Sequence, residues 1–93
     1  MKAVLNGEII AESNDTVAVK GYDYFPLADA RTELLEKSPR TPKDLECPHA
    51  VQFYDVVVDG TRHERNAWIY EAPQPAMQAV TNRVGFWHDV KVT

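Results

Sequence analysis

The sequence predicts a mainly β fold, in which short antiparallel strands and one or two short helical turns form a single small domain. The dipeptides Asn6-Gly7 and Asp59-Gly60 each lie between runs of apolar and β-branched residues. Such dipeptides are the strongest short-range signal of a β-hairpin. A length of 93 residues is enough for one small hydrophobic core. We therefore expect residues 1–93 to form one domain.

The N-terminal part of the chain predicts four short strands. Asn6-Gly7 joins the first two, the third is rich in β-branched residues, and the fourth is aromatic. Pro26 at the end of the fourth strand keeps Phe25 extended and also suits the first turn of a helix. The four ranges are Ala3–Leu5, Glu8–Ala11, Thr16–Val19 and Gly21–Pro26.

The segment after Pro26 has two readings. One is a continuous helix over Leu27–Glu36, which the favourable spacing of Glu33 and Lys37 supports. The other is a helical turn at Leu27–Ala30 followed by a strand at Glu33–Lys37. The next segment, Ser38–Lys43, contains two prolines, which lack backbone donors, and it predicts a loop.

The C-terminal half predicts a long hairpin and two closing strands. Val51–Val58 and Thr61–Tyr70 flank the Asp59-Gly60 turn, and Pro73 and Pro75 end the second strand. A short helix at Pro75–Val80 and strands at Val84–Trp87 and Val90–Val92 follow. Strict alternation on Thr61–Tyr70 predicts one face with His63, Arg65, Ala67 and Ile69, and an opposite face with Arg62, Glu64, Asn66, Trp68 and Tyr70.

Charge and cysteine content narrow the function classes. The formal net charge is -4 and the ten basic residues are scattered, which argues against nucleic-acid binding. One cysteine cannot form an intrachain disulfide, and no apolar run approaches the about 20 residues that span a bilayer. The early polar turn at Asn6-Gly7 leaves no apolar region for a signal peptide. We expect a cytoplasmic protein without membrane contact, for which homodimerisation would add stability.

Several short motifs together resemble a known bacterial family. They are Tyr24-Phe25-Pro26, Cys47-Pro48, the Val56–Gly60 hairpin, Ala67-Trp68-Ile69-Tyr70 with Pro73, and Val84-Gly85-Phe86-Trp87. In this order they resemble the family called domain of unknown function 427, which is also labelled nucleotidyltransferase-like. The resemblance covers essentially the whole chain.

The resemblance implies a tent-like fold of two sheets, similar to methionine-R-sulfoxide reductases and the cereblon ligand-binding domain. These relatives use an aromatic cleft between the sheets, and most carry zinc on Cys-x-x-Cys motifs, which this chain lacks. The resemblance also favours the helical turn and strand over the continuous helix after Pro26. In many members a Lys-Gly pair follows Cys-Pro, whereas His49-Ala50 follows Cys47-Pro48 here, so no role of that lysine carries over.

The residues leave the chemistry open. Cys47 and His49 are the candidate nucleophile and base, although a lone cysteine is more often a small buried apolar group. Trp68 and Tyr70 share a strand face and can enter one cavity, whereas Phe86 and Trp87 cannot both do so on a regular strand. Apart from Cys47 and His49, the residues that could bind a metal do not show the spacing of metal ligands. No Gly-rich phosphate loop or Asp-x-Asp pair supports nucleotidyl transfer. We expect no metal and no cofactor.

Three functions remain as hypotheses. The first is binding of a small ligand in an aromatic-lined cleft between the sheets. The second is a small enzyme that uses Cys47 or His49 in the same cleft. The third is a protein-interaction module that acts through a sheet edge. The first is preferred, and its predicted ligand-binding residues are Tyr24, Cys47, His49, Arg65, Trp68, Tyr70 and Phe86.

Overall fold

The computed structural model describes residues 1–93 and contains nine strands in two antiparallel sheets. The strands are β1 (Lys2–Leu5), β2 (Glu8–Glu12), β3 (Val17–Val19), β4 (Tyr22–Pro26), β5 (Leu35–Lys37), β6 (Val51–Val58), β7 (Thr61–Tyr70), β8 (Arg83–Phe86) and β9 (Lys91–Val92). One sheet has the order β2-β1-β9, and the other has the order β3-β4-β8-β7-β6-β5. The mainly β fold class and the two-sheet arrangement are confirmed.

The helical segments are all short. Three are 3₁₀ helices, at Leu27–Asp29, Thr32–Leu34 and Pro75–Val80, and one is an α-helix, α1, at Pro42–Leu45. The helical turn and strand expected after Pro26 are both present, but the second 3₁₀ helix delays the strand until Leu35. None of the four has the length and apolar character that crossing a membrane would need.

The prediction of a loop through Lys43 is wrong at its C-terminal end, where α1 begins at Pro42. The Thr41 hydroxyl accepts a hydrogen bond from the Asp44 N–H at 3.2 Å, and the Asp44 carboxylate accepts one from the Thr41 N–H at 3.0 Å. This reciprocal cap satisfies two donors that a helix start leaves free, and proline suits the first helical position. Pro42 was therefore a signal of a helix start, whereas Pro39 lies in the loop.

Tight turns fix the strand register locally. Asn6-Gly7 and Asp59-Gly60 both have positive φ at both residues, as a type I′ hairpin turn requires. A third such turn, at Lys20-Gly21, joins β3 to β4 and has φ values of 52° and 87°. Lys20 thus occupies a left-handed position, which is unusual for lysine.

The six-stranded sheet buries apolar groups on both of its faces. Tyr24 and Phe25 are adjacent on β4, and Ala67 and Trp68 are adjacent on β7, so each pair sends one side chain to each face. On the inner face, Phe25 and Ala67 pack with the three-stranded sheet in a core of eleven buried residues. On the outer face, Tyr24 and Trp68 pack under the Pro75–Val80 helix with Val51, Met77 and Val80.

The alternation predicted for β7 is wrong at Arg65. Tyr54 pairs with Ala67 and Val56 pairs with His63, so three residues of β7 lie opposite Asp55 alone. Arg65 adopts φ 56° in this bulge, and its guanidinium lies 4.0 Å from the centre of the Phe53 ring, on the Trp68 side of the sheet. The bulge thus moves Arg65 away from the face of Ala67.

Candidate functional site

The outer face of the six-stranded sheet contains an aromatic cavity of about 210 Å³. The three-stranded sheet packs on the opposite face, so the cavity does not lie between the two sheets, and the expectation of a cleft between them is wrong. One sheet face, the Pro75–Val80 helix and the turn before β6 form its walls. Its lining residues are Lys20, Tyr22, Tyr24, His49, Phe53, Trp68, Tyr70, Met77 and Trp87.

Trp68 is the central side chain of the cavity and is 4% exposed. Its ring makes edge contacts with Tyr22, Trp87 and Tyr24, with centroids 5.0, 5.2 and 5.9 Å away. Edge-to-face packing of this kind adds about 0.5–1.5 kcal/mol per pair beyond area burial. The indole N–H donates to the Tyr24 hydroxyl at 3.3 Å, so this buried donor is satisfied within the protein.

A glycine makes room for Trp68. Gly85 on β8 pairs with Trp68 on β7 and with Tyr24 on β4. A Cβ at Gly85 would lie 2.6 Å from the nearest carbon of the indole, which is closer than real Cβ contacts come. The indole therefore lies directly against the backbone of Gly85, and the missing side chain is what allows Trp68 this position.

Trp87 forms a second wall and is fixed by the bulge of β7. Its backbone N–H donates to the carbonyl of Asn66 at 3.0 Å, and its indole N–H donates to the carbonyl of Arg65. The indole also stacks on Phe53 with a centroid distance of 5.7 Å and an interplanar angle of 19°. Since both donors of Trp87 are satisfied, the ring contributes mainly apolar surface to the cavity.

Two polar groups at the cavity come from turns. Lys20 is exposed, in the β3–β4 turn. The Nδ1 atom of His49 accepts a hydrogen bond from the Gln74 N–H at 2.9 Å. The neutral ring therefore has its proton on Nε2, which makes that atom a donor. The His49 ring also contacts Tyr70 edge-on, at 5.5 Å between centroids.

The Tyr70 hydroxyl stays protonated over the ordinary pH range. Burial is the largest cause that raises the pKa of Tyr70 to about 12, and the neighbouring Tyr24 and Cys47 add to it. A phenol with such a pKa does not act as a base at neutral pH. Tyr70 is therefore a neutral polar group in the wall.

A family model described as a domain of unknown function (DUF427), and named NTP_transf_9, matches residues 1–93. The chain belongs to the DUF427 family. The expected family membership is thereby confirmed. No curated protein matches the chain.

Four of the residues predicted to bind a ligand lie together in this DUF427 protein. Tyr24, His49, Trp68 and Tyr70 all line the aromatic cavity. Tyr24 and Trp68 form its buried base, and His49 and Tyr70 are half-buried. A role in ligand binding remains a prediction for each of them.

The other three predicted residues lie outside the cavity. Phe86 is 3% exposed and packs against Phe25 in the inner core, because it alternates with Trp87 and takes the opposite face. Arg65 directs both terminal nitrogens to the Asp44 carboxylate, at 2.9 and 3.0 Å. Cys47 is half-buried and packs against the edge of the outer core.

The structure gives no support to Cys47 and His49 as a nucleophile and base pair. The segment between them is a turn rather than an extended strand, and Nδ1 of His49 is occupied by the Gln74 N–H. No hydrogen bond joins the two side chains. The structure also contains no group of three or more His, Cys, Asp or Glu side chains that could hold a metal ion.

Five lining residues were missing from the predicted set. They are Lys20, Tyr22, Phe53, Met77 and Trp87. Tyr22 could have been found from its parity with Tyr24, and Phe53 from its position opposite Trp68 in the hairpin register. No pattern in the sequence indicates Lys20 or Met77, because turns and helices distant in the chain bring them to the cavity.

Proposed function

We propose that this DUF427 protein binds a small ligand in the aromatic cavity on the outer face of the six-stranded sheet. The observation that carries the proposal is an open space of about 210 Å³ beside Trp68, in a chain of 93 residues. The space is open to solvent, and concavities of similar or larger volume lie elsewhere on the chain. What distinguishes it is a wall made mainly of large apolar side chains, which is typical of ligand sites.

The composition of the wall supports the same reading. Seven of the nine lining residues are hydrophobic, and the polar ones are few. Ligand sites combine apolar surface with a small number of placed polar groups in this way. The volume is below the range of about 300–1,000 Å³ that is typical of sites for drug-sized molecules, so the ligand is a small one, such as a single-ring metabolite.

Thermal unfolding of the purified protein across a metabolite library tests the proposal. A ligand at one hundred times its dissociation constant adds about 2.7 kcal/mol to the free energy of unfolding. Each kcal/mol raises the melting temperature of a domain of this size by about 4–8 °C. Bound compounds should therefore raise the melting temperature by about 10 °C or more at saturating concentrations.

A matched pair of variants localises the binding. Tyr22 and Ile9 are both 39% exposed, but Tyr22 lines the cavity and Ile9 lies on the other sheet. We expect Tyr22→Ala to weaken the thermal shift of each hit, and Ile9→Ala to leave it unchanged. Equal effects of the two variants, or a library without any hit, would refute binding in the cavity. A library without hits would favour the sheet-edge interaction instead.

A further inference from the structure

We infer that the ligand of the aromatic cavity is an anion, with a carboxylate or phosphate monoester on a flat apolar body. This inference rests on the proposed function and adds the chemical class of the ligand. It follows from the polar groups on the cavity wall, which are a cation, a histidine N–H and tyrosine hydroxyls. No aspartate or glutamate lines the cavity, although the chain has fourteen of them and a net charge of -4.

Lys20 supplies the positive charge. Its backbone is held in the left-handed region by the turn between β3 and β4, where φ is 52° at Lys20 and 87° at Gly21. Lys20 takes part in none of the nine ion pairs of the chain. Its ammonium group is therefore free to pair with a charge on a bound molecule, whereas a cationic ligand would meet repulsion there.

His49 supplies a fixed neutral donor. The Gln74 backbone N–H donates to Nδ1 at 2.9 Å, and the Gln74 side chain donates to the carbonyl of Pro48 at 3.2 Å. Backbone hydrogen bonds from Glu71 and Ala72 to the same turn complete the attachment. This arrangement selects the tautomer with a proton on Nε2, which can donate to an acceptor such as a carboxylate or phosphate oxygen.

The hydroxyls of Tyr24 and Tyr70 can donate to an anionic ligand. The Tyr24 oxygen accepts from the Trp68 indole N–H, and its own proton remains available to donate. Tyr70 retains its proton at neutral pH, as described above. A hydroxyl oxygen can also accept, so the tyrosines allow an anionic ligand without requiring one, and Lys20 and His49 supply the preference for it.

Three small molecules of matched shape test the charge preference. Phenylacetate, phenylacetamide and 2-phenylethylamine share a ring and differ in charge, and their dissociation constants can be measured from the indole N–H signals of Trp68 and Trp87 in NMR titrations. We expect phenylacetate to bind about tenfold more tightly than the amide, and the amine more weakly still. Phenyl phosphate, measured in parallel, distinguishes the two anions, since the tighter binder identifies the headgroup.

Two lysine variants assign the effect. Lys20→Gln should remove most of the advantage of phenylacetate over the amide. Lys91→Gln changes the net charge equally but lies on β9, away from the cavity, and should keep the advantage. Equal binding of acid and amide, or tighter binding of the amine, would overturn the inference. An advantage that survives Lys20→Gln would overturn the role of Lys20 as the group that recognises the charge.

The failures of the two proposals are distinguishable. If none of the anions binds while neutral library compounds shift the Trp68 signal, the inference of an anion is wrong and binding in the cavity stands. If neither the anions nor any library compound shifts it, both are wrong.

Discussion

Replacing Gly85 by alanine tests the central feature of the site. The new Cβ would lie 2.6 and 2.7 Å from two carbons of the Trp68 indole, whereas ordinary contact begins at 3.4 Å. The indole would have to move by about 0.8 Å or rotate, and its edge contacts with Tyr22, Tyr24 and Trp87 oppose both. Overpacking of this kind costs about 1–3 kcal/mol.

The predicted change in stability has the opposite sign to the usual effect of replacing glycine by alanine. Alanine in place of glycine normally stabilises a compatible backbone position by about 0.4–1 kcal/mol, through the unfolded chain. Gly85 has no positive φ, so without the indole the substitution would be favourable. We therefore expect Gly85→Ala to lower the free energy of unfolding in urea by about 1–3 kcal/mol and to shift the Trp68 indole N–H resonance.

A double-mutant cycle isolates the clash. In Trp68→Phe the smaller ring leaves space beside residue 85, so the cost of Gly85→Ala should fall by about 0.5–3 kcal/mol in that background. Ligand binding should weaken in Gly85→Ala alone, because Trp68 is displaced. Wild-type stability with an unchanged indole signal in Gly85→Ala would refute the close contact between Trp68 and the β8 backbone.

Three further predictions concern the groups that support the cavity. Hydrogen bonding from Arg65 is the largest cause that holds the pKa of Asp44 at about 2, below its ordinary 3.8. A depressed carboxyl pKa stabilises the fold above pH 3.8, and the stabilisation is lost as the pH falls through the folded value. We expect the free energy of unfolding to fall by about 1–2 kcal/mol between about pH 4 and pH 2, less than the full shift implies because solvent screens the partly exposed Arg65. In Asp44→Asn the dependence of the unfolding free energy on pH should be weaker. Asp55→Asn should lower the free energy of unfolding in urea by about 2–4 kcal/mol. Asp55 is 5% exposed and accepts hydrogen bonds from Ser38, Arg62 and the Arg65 N–H. A cost near zero would show that the bulge does not depend on the Asp55 carboxylate. Cys47→Ala should leave ligand affinity within about twofold of wild type, because the thiol lies outside the cavity. A loss of affinity of about tenfold or more, which corresponds to about 1.4 kcal/mol, would instead give Cys47 a role in binding.

The bulge of β7 connects these supports to the cavity. Burial alone would raise the pKa of Asp55, but its hydrogen bonds outweigh burial and hold that pKa below its usual value. One of these bonds, from the Arg65 N–H at 3.0 Å, fixes the bulge. The bulge in turn places the Arg65 guanidinium over Phe53 and the Arg65 carbonyl against Trp87. We therefore expect damage at Asp55 to alter the Trp87 indole signal as well as stability.

Much of the fold was determined by local sequence. Asn6-Gly7 and Asp59-Gly60 favour the positive φ values of a type I′ turn whatever lies around them, so both hairpins follow from a few residues. The β-branched runs predicted the strands within one or two residues of their observed ends. The presence of Tyr24 and Trp68 in one cluster was also predicted, because both are large amphipathic side chains on strands.

Tertiary structure alone decided which face each group would occupy. The face that a side chain occupies depends on the register with the partner strand. The bulge opposite Asp55 places Arg65 on the Trp68 side of the sheet, whereas strict alternation predicts the opposite side. The three-stranded sheet covers the inner face, so Phe86 became core and Trp87 became cavity wall. Lys20, Met77 and His49 converge on the cavity from distant parts of the chain. Local propensity carries no information about such contacts, because they arise from the packing of elements far apart in sequence.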